Sequence, residues 1–237
     1  MVCCGVYNEL MEVYDSIAHG YSSFRVKAWD VVKELSASSG WVLDIGCGPC
    51  HNGLAYSLSH NSKLVCIDLS QEMLKIAKAL VKKYGDEDMH YRVDVLQADM
   101  RYLPIRSGII ERVMYVATIN HIHPEYLNTV FKEVLSTLKN GGEVLITIWA
   151  LTHPTVLKKL IRNLLDLLLM RRKLKQLMDI YVPWRSKGKT YLRYYHIYTL
   201  PEITKKVKDL GLKVVKSGSY NPHKRLLPEN YYLVLRK

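Results

Sequence analysis

The nine residues Val42-Leu43-Asp44-Ile45-Gly46-Cys47-Gly48-Pro49-Cys50 carry two incompatible chemistries. As Asp-x-Gly-x-Gly behind an apolar run, they form a loop that cradles a nucleotide-like cofactor, because glycine lets a backbone approach a ligand closely. As Cys-Gly-Pro-Cys, they spell a redox dithiol. Asp68 and Asp99 each end a further apolar run, and Asn120-His121-Ile122-His123 follows another. A last group, Arg193-Tyr194-Tyr195-His196, joins a cation, two phenols and an imidazole.

Periodicity supplies the elements that must hold these groups. Phe24, Ala28, Val31, Val32 and Leu35 recur at helical spacing and predict an amphipathic helix over 22–37. Strands are expected at 41–45, 64–67, 91–98, 112–118, 143–149, 213–217 and 231–235. Helices are expected at 54–58, 71–84 (capped by Ser70), 124–138, 154–178 and 201–210, with a polar aromatic loop over 179–198. Such alternation specifies an α/β fold: a mostly parallel, seven-stranded Rossmann-like sheet with helices on both faces. Ligands of such sheets sit beyond the carboxyl ends of the strands, where Asp44, Asp68, Asp99 and residues 118–123 fall.

Composition narrows the class. The 237 residues, 49% of them apolar, suit one domain over 1–237: an N-terminal cap (1–40), a cofactor core (41–150), a basic and aromatic insertion (151–199) and a closing segment (200–237). The apolar run 164–170 is broken by Asp166, and residues 1–10 lack a secretory pattern, so no membrane partner is expected. Five irregularly spaced cysteines argue against a disulfide framework and for a reducing cytoplasm, with the nucleus as a second compartment. The formal charge of +12, with its excess beyond residue 150, suits a polyanionic partner, unless the chain is merely a soluble basic protein.

Asp44 decides between the two readings of the loop. A redox pair needs a stabilised thiolate at a helix start, and a carboxylate three residues upstream of Cys47 opposes it. The same carboxylate would repel a pyrophosphate, and His51 occupies the third small position of a nicotinamide fingerprint. It suits a cofactor bearing an ammonium and a sulfonium, S-adenosylmethionine. Asp68, 24 residues on, can accept the ribose hydroxyls, and Asp99 the adenine amino group, with Leu96, Met100 and Ile119 as apolar walls. A zinc site from Cys47 and Cys50 with Cys3 and Cys4 is not expected, nor any other metal.

With those residues in place, the chain resembles the class I S-adenosylmethionine-dependent methyltransferases. More closely it resembles the eukaryotic tRNA wobble-uridine carboxymethyl methyltransferases, which esterify 5-carboxymethyluridine at position 34. The resemblance runs through Val13-Tyr14-Asp15-Ser16-Ile17-Ala18, Phe24-Arg25-Val26-Lys27-Ala28-Trp29, Gly141-Gly142, Asp179-Ile180-Tyr181-Val182-Pro183-Trp184 and Arg193-Tyr194-Tyr195-His196-Ile197-Tyr198. Only 185–192 separates the last two blocks, a compact form of the family's polar insertion. Two positions depart from the family pattern: Cys50 replaces its third glycine, and Asn120 replaces the first His of its His-His pair.

The resemblance implies a candidate cofactor set of Tyr14, Asp44, Gly46, Gly48, Asp68, Asp99, Met100 and Ala117. It implies a candidate catalytic set of Arg25, His121, Arg193, Tyr194 and His196. Arg25 and Arg193 would orient the substrate carboxylate and a nearby phosphate, and His121 and His196 would bond the carboxylate or the uracil edge. Tyr194, Tyr195 and Trp29 would stack on the extruded base, though Trp29 suits the core equally, and one pair among Tyr194–Tyr198 should be buried. The basic helix 158–175 either grips the anticodon arm or is a solvated face. The family also implies a small zinc-binding activator subunit, paired along the third strand, 89–96. A same-fold enzyme acting on a small molecule or lipid, and a silent RNA-binding subunit, remain the alternatives.

Overall fold

The computed structural model describes residues 3–84, 88–171, 173–223 and 225–237. Five strands run parallel: β1 (Trp41–Ile45), β2 (Lys63–Asp68), β3 (Val93–Gln97), β4 (Ile110–Tyr115) and β5 (Leu138–Trp149). The sheet closes with β8 (Lys213–Tyr220) at its edge and β9 (Asn230–Arg236) antiparallel between β5 and β8, giving the order 3-2-1-4-5-9-8. The expected Rossmann-like sheet of seven strands is therefore present.

Strand alternation divides the core in two. Leu43, Ile45, Val65 and Val113 face one side, under α5 (Leu127–Thr137) and α7 (Leu200–Asp209). Val42, Leu64, Cys66 and Met114 face the other, under α2 (His51–His60), α3 (Gln71–Tyr84) and a 3-10 turn at Asp30–Glu34. Both faces are covered, which is why these strands read as nearly continuous apolar runs. Ser70 caps α3 as expected, its Oγ accepting from Met73 N at 3.2 Å.

Four expectations need correction. The helix over 22–37 does not form: α1 spans Cys3–Phe24, and the chain is then irregular as far as Trp29, whose N–H donates to Asn52 Oδ1 at 2.9 Å. That cross-link holds the segment against the cofactor loop rather than letting it continue as a helix. The third strand starts at Val93, because Met89–Arg92 makes one helical turn, α4. The helix over 154–178 is shorter: α6 spans Pro154–Leu168, with a 3-10 turn at Leu174–Gln176.

The loop over 179–198 is a hairpin, β6 (Asp179–Ser186) and β7 (Lys189–His196). Its two-residue turn, Lys187-Gly188, has φ of 47° and 74°, the positive values that match the twist of tight hairpins. The hairpin lies between α6 and the main sheet, so Tyr194, Tyr195, His196 and Tyr198 are all buried and no outward-facing pair remains. Among the described residues no helix is long and apolar enough to cross a membrane.

Candidate active site

A cleft opens beyond the carboxyl ends of β1, β2 and β4, where the strand order reverses direction. Gly46 and Gly48 line it at φ of 66° and 52°. A Cβ on Gly46 would overlap the Thr118 side chain, so the close approach there demands glycine. Asp68 Oδ2 accepts from Gly48 N at 2.8 Å and Oδ1 from Ser70 N at 2.9 Å. Each oxygen keeps lone-pair capacity for a second donor, as a ribose diol requires. Met100, Tyr14 and Ala117 also line the cleft, Ala117 at φ 58°.

Asp44 is not on this surface. It is 1% exposed, and its Oδ2 accepts from Gly53 N at 2.9 Å at the start of α2. Burial pushes its carboxyl up to about 7. It therefore anchors the loop from behind and does not face a ligand's ammonium. Asp99 does line the cleft, but its carboxylate is forked by Arg101, with Nη2 at 2.5 Å and Nε at 2.9 Å. Arg101 in turn stacks on Tyr7, 3.7 Å from the ring centroid. Of the three expected apolar walls only Met100 reaches the cleft, since Leu96 and Ile119 belong to the core.

Cys50 takes the left-handed conformation, φ 66°, that the replaced glycine would take. Its sulfur is bonded to Cys66 on β2, across a Cα separation of 6.4 Å. One disulfide thus exists where none was expected, because the turn at Cys50 aims its side chain inward at the adjacent strand. Cys47 stays a buried thiol, pushed up by burial and by Asp68 and Asp44, so the Cys-Gly-Pro-Cys reading has no thiolate to use. Cys3 and Cys4 have side chains outside the described residues.

Opposite the cofactor loop, α1 presents Tyr7, Tyr14 and Tyr21 to the cleft, two turns apart. His121 Nδ1 meets the Tyr194 carbonyl at 2.8 Å, which only accepts, so Nδ1 carries the proton. Its Nε2 then accepts from the Tyr14 hydroxyl, also at 2.8 Å. Burial holds His121 down at about 4, so it is neutral in this network. Arg25 lines the cleft with its guanidinium 4.6 Å from the Trp29 ring centroid. Its Nε is buried with no hydrogen-bond partner.

A model of the methyltransferase domain matches residues 42–142, the whole of this cleft's loop-bearing half. The fold is that of the class I methyltransferases, and the family match covers residues 42–142. The cofactor is S-adenosylmethionine. The chain is 26% identical to the tRNA (carboxymethyluridine(34)-5-O)-methyltransferase of Schizosaccharomyces pombe, covering 87% of this chain and 90% of that relative. It is 32% identical to the Arabidopsis thaliana protein of the same name, over 58% of this chain and 32% of the longer relative. Among solved structures, an S-adenosylmethionine-dependent methyltransferase from Methanosarcina mazei superposes with a TM-score of 0.71. At 14% identity, covering 89% of this chain and 98% of that one, that likeness concerns the fold alone.

The methyltransferase cleft gathers Arg25, His121, Tyr14, Asp68 and Asp99, but three other candidates stand behind its wall. Arg193 is buried between Trp184 and Tyr195, at 5.0 and 5.6 Å, beside the Tyr14 hydroxyl, with Nε unpartnered. Tyr194 and His196 both bond Asp179 Oδ1, at 2.8 and 2.7 Å. Burial pushes Asp179 up, yet the bonds from His196 and Tyr194 outweigh it and hold the carboxyl low. Asn120 spends both ends of its amide structurally, donating to the His196 carbonyl at 2.8 Å and accepting from Trp149 N at 3.1 Å. Trp29 answers to both readings, lining the cleft while packing on the core.

Sequence reasoning missed four groups. Tyr7 and Tyr21 share a seven-residue spacing with Tyr14, a legible helical stripe. Arg101 and Asp179 left no such signal, because their roles depend on partners distant in the chain or in space.

Proposed function

We propose that this methyltransferase esterifies the carboxylate of 5-carboxymethyluridine at wobble position 34 of tRNA. The observation that carries the reading is Arg25, a cation on the cleft wall that no acid among the described residues neutralises. A buried guanidinium nitrogen without an acceptor favours an anionic ligand, and a carboxylate matches its fork. The names of the two relatives point the same way.

Gly46, Gly48 and Asp68 would hold S-adenosylmethionine, which supplies an electrophilic methyl group when bound. A substrate carboxylate is ionised at neutral pH, so its oxygen can take the methyl carbon with no general base. His121 is not free to act as one, because its acceptor nitrogen already takes the Tyr14 hydroxyl. What remains is orientation and exclusion of water. In this reading Arg25 orients the carboxylate, and Trp29 offers a face to the extruded base. Arg193, Tyr194 and His196 act one layer back, positioning Tyr14 and His121. In this reading the enzyme works in the cytoplasm, with the nucleus as a second compartment.

A small zinc-binding activator subunit completes the proposal. One edge of the sheet is β3, whose outer side pairs with no described strand, and Val93 and Val95 stay half-buried on it. Pairing with a partner strand would cover that edge. The test is methyl transfer to tRNA bearing 5-carboxymethyluridine at position 34, by the chain co-expressed with such a subunit. Ester formation at that base is the expected result. Transfer only to other RNA or to small molecules overturns the substrate, and an unaided chain of equal activity overturns the partner.

A further inference from the structure

The outer face of α6 is apolar where a basic, solvated or RNA-gripping face was expected. Leu157, Ile161, Leu164, Leu165 and Leu168 recur at i, i+4, i+7, i+8 and i+11, the spacing of one helical stripe. All five are exposed, from 48% at Leu164 to 70% at Leu168. The stripe is not the core-facing side. Val156 and Asn163 form that side, Asn163 donating to the Leu177 and Asp179 carbonyls at 2.8 Å. Leu169 and Met170 extend the apolar surface past the helix, Met170 being 95% exposed.

The surrounding charges are of one sign. Lys158 and Arg162 flank the stripe, and Arg171, Lys173 and Lys175 are exposed beyond its end. From residue 154 to 176 the sequence has Asp166 as its single acid. A second copy of this chain would oppose basic rim to basic rim. RNA would use the cations but gains nothing from leucines, and the stripe holds no aromatic ring for a base to stack on. A convex apolar ridge bordered by Lys and Arg matches a plane with an apolar interior and anionic headgroups.

We propose that α6 and the turn after it dock this methyltransferase on an anionic lipid surface. The helix lies in the plane of the interface, the leucine stripe entering the acyl boundary and the basic rim meeting lipid phosphates and carboxylates. Such docking needs no spanning segment, and it revises the expectation of no membrane partner. It is independent of the nucleoside esterified in the cleft.

The test is co-sedimentation of the full chain, with its cofactor, on vesicles of phosphatidylcholine containing about 30% phosphatidylserine, against vesicles of phosphatidylcholine alone. The expected result is binding to the anionic vesicles that drops about ten-fold or more in the double variant Leu164→Glu and Leu168→Glu. S-adenosylmethionine binding and the circular-dichroism melting curve, both unchanged, show that the variant is folded. Equal binding by variant and parent, or no binding by either, overturns the proposal. So does a dimer in light scattering that the same double variant dissolves, which would assign the stripe to a second copy. Binding to a protein partner that the variant abolishes, with vesicle binding absent, overturns it as well.

Discussion

The two walls of the cleft are built from different materials. On the cofactor wall, backbone amides do the holding: Gly48 N and Ser70 N fix Asp68, and Gly53 N fixes Asp44. On the opposite wall side chains hold one another: Tyr14 bonds His121, while Tyr194 and His196 share Asp179. A wall of backbone donors depends on φ and ψ and tolerates sequence change outside its glycines. A wall of side-chain bonds fails wherever one member is lost, since buried partners are left unsatisfied. The cofactor wall is correspondingly generic, and under the proposed function the opposite wall is the one that meets the substrate.

The contrast can be broken most severely at Gly46. Gly46→Val forces a branched side chain into Thr118 at positive φ, and titration calorimetry should show S-adenosylmethionine affinity down on the order of 100-fold or more. Retained affinity would mean that the loop is soft and the distinction between the walls misplaced. Next in size is Asp179→Ala, which strands the Tyr194 hydroxyl and His196 Nδ1. It should cost about 3 kcal/mol in denaturant unfolding and most of the turnover, with cofactor affinity within about two-fold. Loss of cofactor binding in a folded Asp179→Ala protein would show the walls to be one unit.

Arg25→Ala separates orientation from cofactor binding. Losing a charge-assisted contact to substrate is worth about 2 kcal/mol, or roughly 30-fold in kcat/KM, at constant cofactor affinity. A larger effect on cofactor than on substrate would move Arg25 to the other wall. The last test concerns the pH dependence that Asp44 imposes. Its carboxyl is raised from 3.8 to about 7, so the folded protein holds a proton that the unfolded chain releases. The contribution is full below pH 3.8 and is lost as pH rises towards 7. Asp44→Asn should flatten the fall in melting stability of the cofactor-free protein between about pH 5 and 7, by at most about 1.4 kcal/mol per unit. Equal slopes in parent and variant would place the carboxyl in solvent.

How much of this was legible in sequence follows the same divide. The sheet, its cleft and the places of Gly46, Gly48 and Asp68 were readable, because short continuous apolar runs, closely spaced glycines and strand-end acids are local signals. The direction in which Asp44 points was not, since its N–H donor belongs to the next helix. The apolar positions at 24, 28, 31 and 32 mimic a helix, although a tertiary bond from Trp29 to Asn52 decides otherwise. The tight turn at Lys187-Gly188 went unread, because the aromatic density around it obscured the alternation of the hairpin. Cys66 carried no hint of its bond, its partner lying sixteen residues upstream in a different element.

The position of β9 sets the order in which this protein can be completed. Residues 230–236 follow the other described strands in the chain, yet they occupy an interior place, paired on both sides by β5 and β8. Until they emerge from the ribosome, β5 offers a long open edge with Val144, Leu145, Ile146 and Ile148 on it. A chain halted before they appear displays that apolar strand to its neighbours.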